Sequence, residues 1–392
     1  MTTQPDSHTH AARLAVRAVF FANGATLASW VSRIPAIKGG LKLTDGQFGL
    51  ALFGMAVGAL IAFPLAGMFI ARFGSRRVTL VVGLAFCAAL SMLPFAPSLI
   101  GLALLLAVFG ACNGAMDVAM NAQGVDVERQ SGRSLMSSFH AMWSLGGLGG
   151  AALGGLAAEH SISPIWHFAT ASLVLALTLA LAAPHLMLPK PGDAEDAGPV
   201  FALPSRAVLG LGAIAFCAFL SEGAVADWSA VYLRESLRTG AAFAAGGYAA
   251  FSMTMTGMRF GGDTLITRLG SVRVVQAGGL IAGVGLGAAL LLGGPVPTLL
   301  GFGCVGLGLA VLAPLVFSAA GHMSGASPGA AIAAVATLGY GGFLAGPPLL
   351  GLLAQAVTLR VALGVVALLC LTIALLGNAV RPQAGDLECP PD

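Results

Sequence analysis

The chain has 392 residues, of which 57% are hydrophobic and only 9% charged, and its formal net charge is +3. Soluble domains carry about 25% charged residues, so this composition excludes a soluble globule. The small net charge and the lack of a basic cluster exclude a nucleic-acid partner. Apolar runs of about 20 or more residues recur along the chain, and each can cross a bilayer core about 30 Å thick. The composition predicts a polytopic membrane protein that is embedded in a lipid bilayer.

Twelve apolar segments, separated by charged residues and by glycine or proline turns, are predicted to be transmembrane helices. We expect an all-α protein in which residues 1–186 form an N-terminal six-helix bundle. Residues 206–392 are expected to form a C-terminal six-helix bundle with a short cytoplasmic tail, and the hydrophilic stretch 187–205 predicts a cytoplasmic linker. The six cysteines are scattered and show no metal-ligand spacing, so we expect neither a metal nor a cofactor.

The two halves of the sequence contain a repeat. Segment 71–84, ARFGSRRVTLVVGL, matches segment 267–280, TRLGSVRVVQAGGL, and Trp30 pairs with Trp228 at nearly the same offset. These collinear matches predict two parallel six-helix halves, an arrangement described for one class of transporter folds. Of the 19 Lys and Arg residues, twelve fall on one predicted side of the membrane and six on the other. This bias predicts that both termini lie in the cytoplasm.

Asp117 lies within an apolar run, in the segment GAMDVAMNAQG (114–124). An ionised carboxylate in mid-bilayer costs about 2.5–3.5 kcal/mol, so such residues usually face a cavity or a partner. Asn113, Asp117 and Asn121 are spaced four residues apart and therefore share one helix face. We predict that Asp117 takes part in proton coupling and that the two asparagines bind substrate. The alternative is a hydrogen bond that locks two helices together.

The fifth predicted span begins with His140 and Trp143. We expect His140 to lie near Asp117 in the cytoplasmic half of the membrane, where a histidine–carboxylate pair would pass protons. The alternative is a histidine whose hydrogen bonds are satisfied at the interface. Trp143, one turn further along the helix, is predicted to line a substrate cavity.

Four polar side chains mark other predicted spans. Glu222 is predicted to bind substrate or to be a second proton-coupling acid, because intramembrane acids are functional by default. Asp227 is expected at the outer interface, with Trp228 in the aromatic belt. Asn23 and Tyr340 lie near mid-membrane and are predicted to contact substrate.

Span eight contains Arg259 and Asp263, which are four residues apart and are expected to pair. Their position near the cytoplasmic end favours a gate or a structural lock over a binding site. Pro314, Pro347 and Pro348 are expected to break or kink their helices.

Segment 67–77, GMFIARFGSRR, resembles the loop signature of the major facilitator superfamily. Arg72 and Arg76 match the signature, and Ala71 stands where the family has an acid. The resemblance implies the fold of that superfamily and a loop that gates the cytoplasmic side. It therefore implies gating roles for Arg72 and Arg76, and for Arg268 in the second copy.

Segments 113–147, 222–233 and 339–351 resemble the bacterial YbjJ-like branch, which is related to the fucose permease group. In fucose permease-like proteins, a carboxylate four residues before an asparagine in the fourth span is tied to proton coupling. Asp117 and Asn121 have this spacing. The acid that those proteins carry in the first span has no counterpart in this chain.

Motifs of hydrolases, metalloproteases, ATP-binding domains and dinucleotide-binding domains are missing from the sequence, which indicates a protein that is not an enzyme. We predict a proton-coupled symporter for a small, polar, sugar-like solute, which works by alternating access as a monomer in the bacterial inner membrane. One alternative is a drug/proton antiporter that exports amphipathic compounds. Another is a membrane scaffold or sensor that transports nothing.

Overall fold

The structure, a computed structural model, describes residues 7–131, 135–188, 208–321 and 328–381. These residues form α-helices joined by short turns and 3-10 or π-helical segments, and they contain no strand. The helices are α1 (Ser7–Gly40), α2 (Asp45–Phe73), α3 (Ser75–Met92), α4 (Leu99–Ser131), α5 (Met136–Glu159), α6 (Pro164–Ala182), α7 (Leu209–Val231), α8 (Ala241–Leu269), α9 (Ser271–Leu292), α10 (Pro295–Leu309), α11 (Leu312–Gly321), α12 (Pro328–Ala356) and α13 (Leu359–Leu376). Most of the predicted linker 187–205 and of the predicted cytoplasmic tail lies outside the described residues.

The helices have the length and composition of membrane spans. Within the described ranges, eleven helical stretches are long and apolar enough to cross a bilayer, and one of them combines α10 and α11. The remaining long helix, α8, has 29 residues but contains three charged residues, Arg259, Asp263 and Arg268. The prediction of an all-α, polytopic membrane protein is confirmed. We refer to α1–α6 as the N-half and to α7–α13 as the C-half.

The tenth predicted span is divided into α10 and α11 by a break at Ala310 and Val311. Pro314 has no backbone N–H, and a proline ring in a regular helix clashes with the carbonyl group four residues earlier, here that of Ala310. The break predicted at Pro314 is therefore present. By contrast, α12 stays helical through Pro347 and Pro348, so no break occurs there.

The two copies of the sequence repeat have the same backbone geometry. Gly74 forms the turn between α2 and α3 with φ 81° and ψ 149°, and Gly270 forms the turn between α8 and α9 with φ 82° and ψ 151°. A positive φ favours glycine, which has no Cβ to clash with the backbone. Each glycine N–H donates to the carbonyl oxygen four residues earlier, of Ile70 and Ile266 respectively, at 2.8 Å. These matching turns agree with the internal repeat seen in the sequence.

Glycines let α2 and α4 pack with their backbones in contact. A Cβ added at Gly58 would lie 1.9 Å from the carbonyl oxygen of Ala107, and one added at Gly110 would lie 2.0 Å from that of Met55. Such distances leave no room for a methyl group. Close approach of this kind is how small residues stabilise membrane helix pairs.

We expect Gly58→Ala to destabilise the N-half by about 1–3 kcal/mol, because the added methyl group must push α2 away from α4. The measurement is thermal unfolding in detergent. Gly67→Ala is the matched control on the same helix, since a Cβ at Gly67 meets no atom within 4 Å. Equal unfolding temperatures for the two variants would contradict the packing of α2 against α4.

Candidate functional site

A cavity of about 510 Å³ lies between the N-half and the C-half. Helices of both halves line it, so its walls move whenever the halves move relative to each other. Eight of the residues predicted to be functional lie in its walls, namely Asn23, Asn113, Asp117, His140, Trp143, Glu222, Arg259 and Tyr340. The tertiary structure thus brings residues from six helices to one place.

One end of the cavity is closed where α1 and α12 end and α2 begins, and we call this the sealed end. Lys38 of α1 is buried there and forms ion pairs with Asp45 of α2, at 2.8 Å, and with Glu235, which follows α7 in the C-half. Gln355 of α12 accepts a hydrogen bond from the hydroxyl group of Thr44, at 3.0 Å. These contacts join the two halves across the sealed end, and Lys38 was not among the residues predicted to be functional.

Backbone contacts between α2 and α12 close the same end. A Cβ at Gly49 would lie 2.5 Å from the carbonyl oxygen of Pro347, and a Cβ at Gly351 would lie 2.7 Å from that of Asp45. Because these two helices belong to different halves, this contact must separate if the sealed end opens.

The cavity reaches towards the opposite end of the bundle, which we call the open end. Its lining includes Met136, the first residue of α5, and Ile266, near the end of α8. Helices α4 and α11 lie on opposite sides of the cavity, and in the described chain they are not packed extensively against each other. The cavity is therefore closed at the sealed end and directed towards the open end.

The predicted places of Asp227 and Trp228 are wrong. Trp228 has an exposed fraction of 0% and packs edge-on against Phe48 of α2, with ring centroids 5.6 Å apart, so it is not part of an aromatic belt. Asp227 lines the cavity instead of facing an outer interface. The reason is that α7 packs against α1 of the other half as well as against α8, α12 and α13, so most of its surface faces protein or cavity.

Asp117 faces the cavity and is held by its neighbour one turn later. The amide nitrogen of Asn121 donates to the backbone carbonyl of Asp117 at 2.8 Å and to its Oδ1 at 3.1 Å. Asn121 is not among the residues that line the cavity. Its geometry suits positioning of the Asp117 carboxylate, whereas the sequence predicted direct substrate binding.

His140 and Asp117 line the same cavity but do not pair. Among the described residues, no hydrogen bond joins their side chains, and the His140 ring packs edge-on against Phe20 with centroids 5.2 Å apart. The predicted histidine–carboxylate pair is therefore absent from this conformation. The alternative prediction placed His140 at the membrane interface. In the structure, His140 lies in the cavity wall instead.

A hydrogen-bonded chain connects α5, α1 and α4. The indole N–H of Trp143 donates to Oδ1 of Asn23 at 2.8 Å, and Nδ2 of Asn23 donates to Oδ1 of Asn113 at 3.3 Å. An indole nitrogen can only donate, so this contact sets the orientation of both amides. All three residues line the cavity and present amide and aromatic surface to it.

Arg259 of α8 bridges the two halves within the cavity wall. Its guanidinium group donates to the hydroxyl oxygen of Ser144 of α5 at 2.7 Å, and its Nε donates to the carbonyl oxygen of Ala310 at 3.3 Å. The guanidinium carbon lies 5.9 Å from the centroid of the Trp143 ring. The side chain of Asp263 lies outside the described part of the chain. Its pairing with Arg259 therefore stays a prediction.

The contact of Arg259 with Ala310 compensates for the break between α10 and α11. In a regular helix the carbonyl group of Ala310 would accept from residue 314, but Pro314 has no N–H. Arg259 supplies the missing donor. The cost of an unpaired carbonyl group in the membrane is thereby avoided.

The other predicted gating residues lie away from the cavity. Arg72 and Arg268 are in the last turns of α2 and α8, and Arg76 is in the first turn of α3. The guanidinium group of Arg72 lies 5.3 Å from the ring centroid of Phe73. None of these three arginines lines the cavity, and their gating role stays a prediction.

Aromatic side chains form one wall of the cavity, which sequence composition did not indicate. We call the five residues Phe63, Phe219, Phe317, Tyr340 and Phe343 the aromatic wall. The rings of Phe219 and Phe343 are stacked with centroids 5.0 Å apart, and Phe63 of α2 lies 4.5 Å from Tyr340 of α12. Tyr340, which was predicted as a polar substrate contact, is thus also part of an apolar surface.

Comparison with known proteins identifies the class to which this architecture belongs. The model of the Major Facilitator Superfamily matches residues 16–341. An uncharacterized MFS-type transporter of Yersinia pestis is 38% identical over 370 residues, which cover 94% of this chain and 95% of that protein. An uncharacterized transporter of Sinorhizobium fredii, y4wD, is 38% identical over 372 residues, or 93% of this chain and 97% of the other.

Among solved structures, the fucose:proton symporter of E. coli has a similar fold. The TM-score is 0.63 at 17% identity, and the alignment covers 94% of this chain and 98% of that one. Likeness at this identity shows the fold alone.

These findings define a multi-pass membrane transporter, which is not an enzyme. The chain belongs to the Major Facilitator Superfamily. The family predicted from the loop signature is thereby confirmed, while the narrower YbjJ-like branch stays a prediction.

Proposed function

We propose that this protein is a proton-coupled symporter for a small polar solute. The observation that carries the proposal is the presence of cavity-facing carboxyl groups on both halves, Asp117 in the N-half and Glu222 in the C-half. Carboxylates at membrane depth are costly, and those that face a cavity commonly mark a path for a solute or for protons. The amides of Asn23 and Asn113, with the indole of Trp143, provide hydrogen-bonding surface for such a solute.

Asp117 is the proposed proton-coupling residue. Closing the open end would enclose its carboxylate, and an enclosed charge without a counter-charge is unfavourable. Protonation removes that charge, so the loaded carrier changes conformation more readily than the empty, ionised one. Asn121 holds the carboxylate towards the cavity, and Glu222 supplies a second acid on the opposite wall.

The sealed end is proposed to face the outside of the cell. The excess of Lys and Arg on the other predicted side supports this orientation, with both termini in the cytoplasm of a bacterial inner membrane. In this orientation the cavity would be directed towards the cytoplasm. Alternating access then requires the contacts of Lys38 and Gly49 to separate while the open end closes. The two bundles within residues 1–186 and 206–392 would move as units.

The aromatic wall favours one second candidate, a drug/proton antiporter that exports amphipathic compounds. Five aromatic residues in one cavity wall offer stacking surface that a purely hydrophilic solute would not require. The two candidates differ in the direction of the proton relative to the solute.

The sign of a solute-evoked pH change separates symport from antiport. We would reconstitute the full chain into liposomes that contain the pH-sensitive dye pyranine, and add sugars, nucleosides, amino acids and amines to the outside. Symport acidifies the lumen on solute addition, whereas antiport makes it alkaline. Liposomes without protein are the control, and a panel that evokes no pH change would contradict proton coupling.

A further inference from the structure

Acidic groups outnumber basic ones in the cavity. Asp117, Glu222 and Asp227 line it, and the only arginine or lysine in its described lining is Arg259. Arg259 already donates to Ser144 and to the carbonyl oxygen of Ala310. If Asp117 serves as the proton-coupling group, Glu222 and Asp227 of α7 share the cavity with the single positive charge of Arg259, so one negative charge remains uncompensated.

The two acids of α7 share one face of the helix with small residues between them. Phe219, Glu222, Gly223, Ala226 and Asp227 all line the cavity, at the spacing of a single helical face. The acids are five positions apart in the sequence, which corresponds to about 7.5 Å along the helix axis. Gly223 and Ala226 present only small groups between the acids, and the ring of Phe343 packs closely against Gly223. The two acids lie at the two edges of this face, about 140° apart around the helix axis, and both border the cavity next to the Phe343 ring.

In the described structure, neither acid forms an ion pair with a side chain of the protein. The described ion pairs are those of Lys38 with Asp45 and with Glu235, at the sealed end. The described residues also include no group of three or more His, Cys, Asp or Glu that could hold a metal ion. Arg259 interacts electrostatically with Glu222 without a direct ion pair, so Asp227 is the cavity acid of α7 that has no basic partner among the described residues.

The aromatic wall begins on the same helix face. Phe219 precedes Glu222 by three residues, and its ring is stacked on Phe343. Added at Gly223, a Cβ would lie 3.1 Å from the Phe343 ring, so this ring borders the space beside the two acids. Aromatic faces attract cations, and the attraction increases where water is excluded.

We propose that the transported solute carries a protonated amino group, which binds between Glu222 and Asp227 and beside the rings of Phe219 and Phe343. This inference rests on the proposed transport function and narrows its solute class from polar to cationic. Asp227 becomes a specificity-determining residue. The remaining, uncharged part of the solute is bound by the amides of the N-half.

The test compares pairs of probes in which a protonated amino group takes the place of one hydroxyl group. Binding of 2-phenylethylamine against 2-phenylethanol, and of glucosamine against glucose, is measured with the purified full chain by the ligand-induced shift in unfolding temperature. We expect the amine of at least one pair to bind about tenfold more tightly than its neutral partner, as charge-assisted hydrogen bonds allow. Asp227→Asn should abolish this preference, and Asp227→Glu should retain it.

Glu159→Gln is the matched control, because it removes an exposed acid at the end of α5. It should leave the preference for amines unchanged. Equal binding of amine and neutral partner in both pairs, or an amine preference that survives in Asp227→Asn, would overturn the proposal.

Failure of the underlying transport function gives a different result. If the protein binds amines selectively but the amines evoke no pH change in the pyranine-loaded liposomes, proton coupling is wrong and the cationic subsite stands. If solutes evoke a pH change without any preference for amines, coupling stands and the cationic subsite is wrong.

Discussion

Asp117→Asn is expected to reduce solute-evoked proton movement to the level of liposomes without protein. Asparagine has nearly the shape of aspartate, and its side-chain oxygen can still accept the hydrogen bond from Asn121. The substitution therefore removes the proton-binding group and little else. The measurement is the lumenal pH change evoked by solutes that are active with the unmodified protein.

Solute binding separates a coupling defect from a folding defect in this variant. Asp117→Asn should still show the ligand-induced shift in unfolding temperature, and it should exchange solute between the two sides when no pH gradient is present. Asp227→Asn is the matched substitution on the opposite wall, and it should weaken binding instead. Proton movement that persists in Asp117→Asn would refute the role of Asp117.

Replacing Lys38 by methionine is expected to open the sealed end. Lys38 is buried between Asp45 and Glu235, whose side chains are 24% and 39% exposed, so without it the two carboxylates face each other unneutralised. Because solvent screens these partly exposed acids, we expect a loss of about 1–2 kcal/mol, which is about a tenfold shift in the conformational equilibrium. The variant should favour the opposite state, in which the sealed end is open.

Spin labels across the sealed end measure this shift. Gly39 and Gly240 are suitable sites, since they lie on different halves and a Cβ at either meets no atom within 4 Å. In a background without the native cysteines, the distance between the labels should lengthen in Lys38→Met. Lys42→Met, which removes an exposed lysine at the same end, should leave the distance unchanged. An unchanged distance in Lys38→Met would rule out a gating role for this ion pair.

Much of the fold was predictable because membrane helices follow local rules. Apolar length determines where a span lies, and glycine or proline turns between apolar runs determine where it ends. The glycines of the repeated turn identified both copies, since only a residue that tolerates positive φ suits that turn. The break near Pro314 was likewise predictable, because a proline lacks the N–H that would bond to the carbonyl group one helix turn earlier.

The site was predictable only in part. A charge or amide in an apolar run is conspicuous, so Asp117, Glu222 and Asn23 were found from the sequence and lie together in the cavity. Asp227 was assigned to the wrong place, and no functional role was predicted for Lys38. Both lie near the ends of spans, where charged residues usually belong to the membrane interface. The aromatic wall was missed because aromatic content says nothing about where the rings lie.

The sequence by itself determined the all-α, membrane-spanning class, the repeat and the family, because each depends on interactions within one segment or on patterns along the chain. Only the tertiary structure decided that Asn121 hydrogen-bonds to Asp117 and does not itself line the cavity. It also decided that His140 packs against Phe20 and that Lys38 joins the two halves. These contacts connect residues on different helices or depend on how a helix is rotated. The rotation of a helix about its own axis is determined by packing against helices that are distant in the sequence, so local sequence patterns do not predict it.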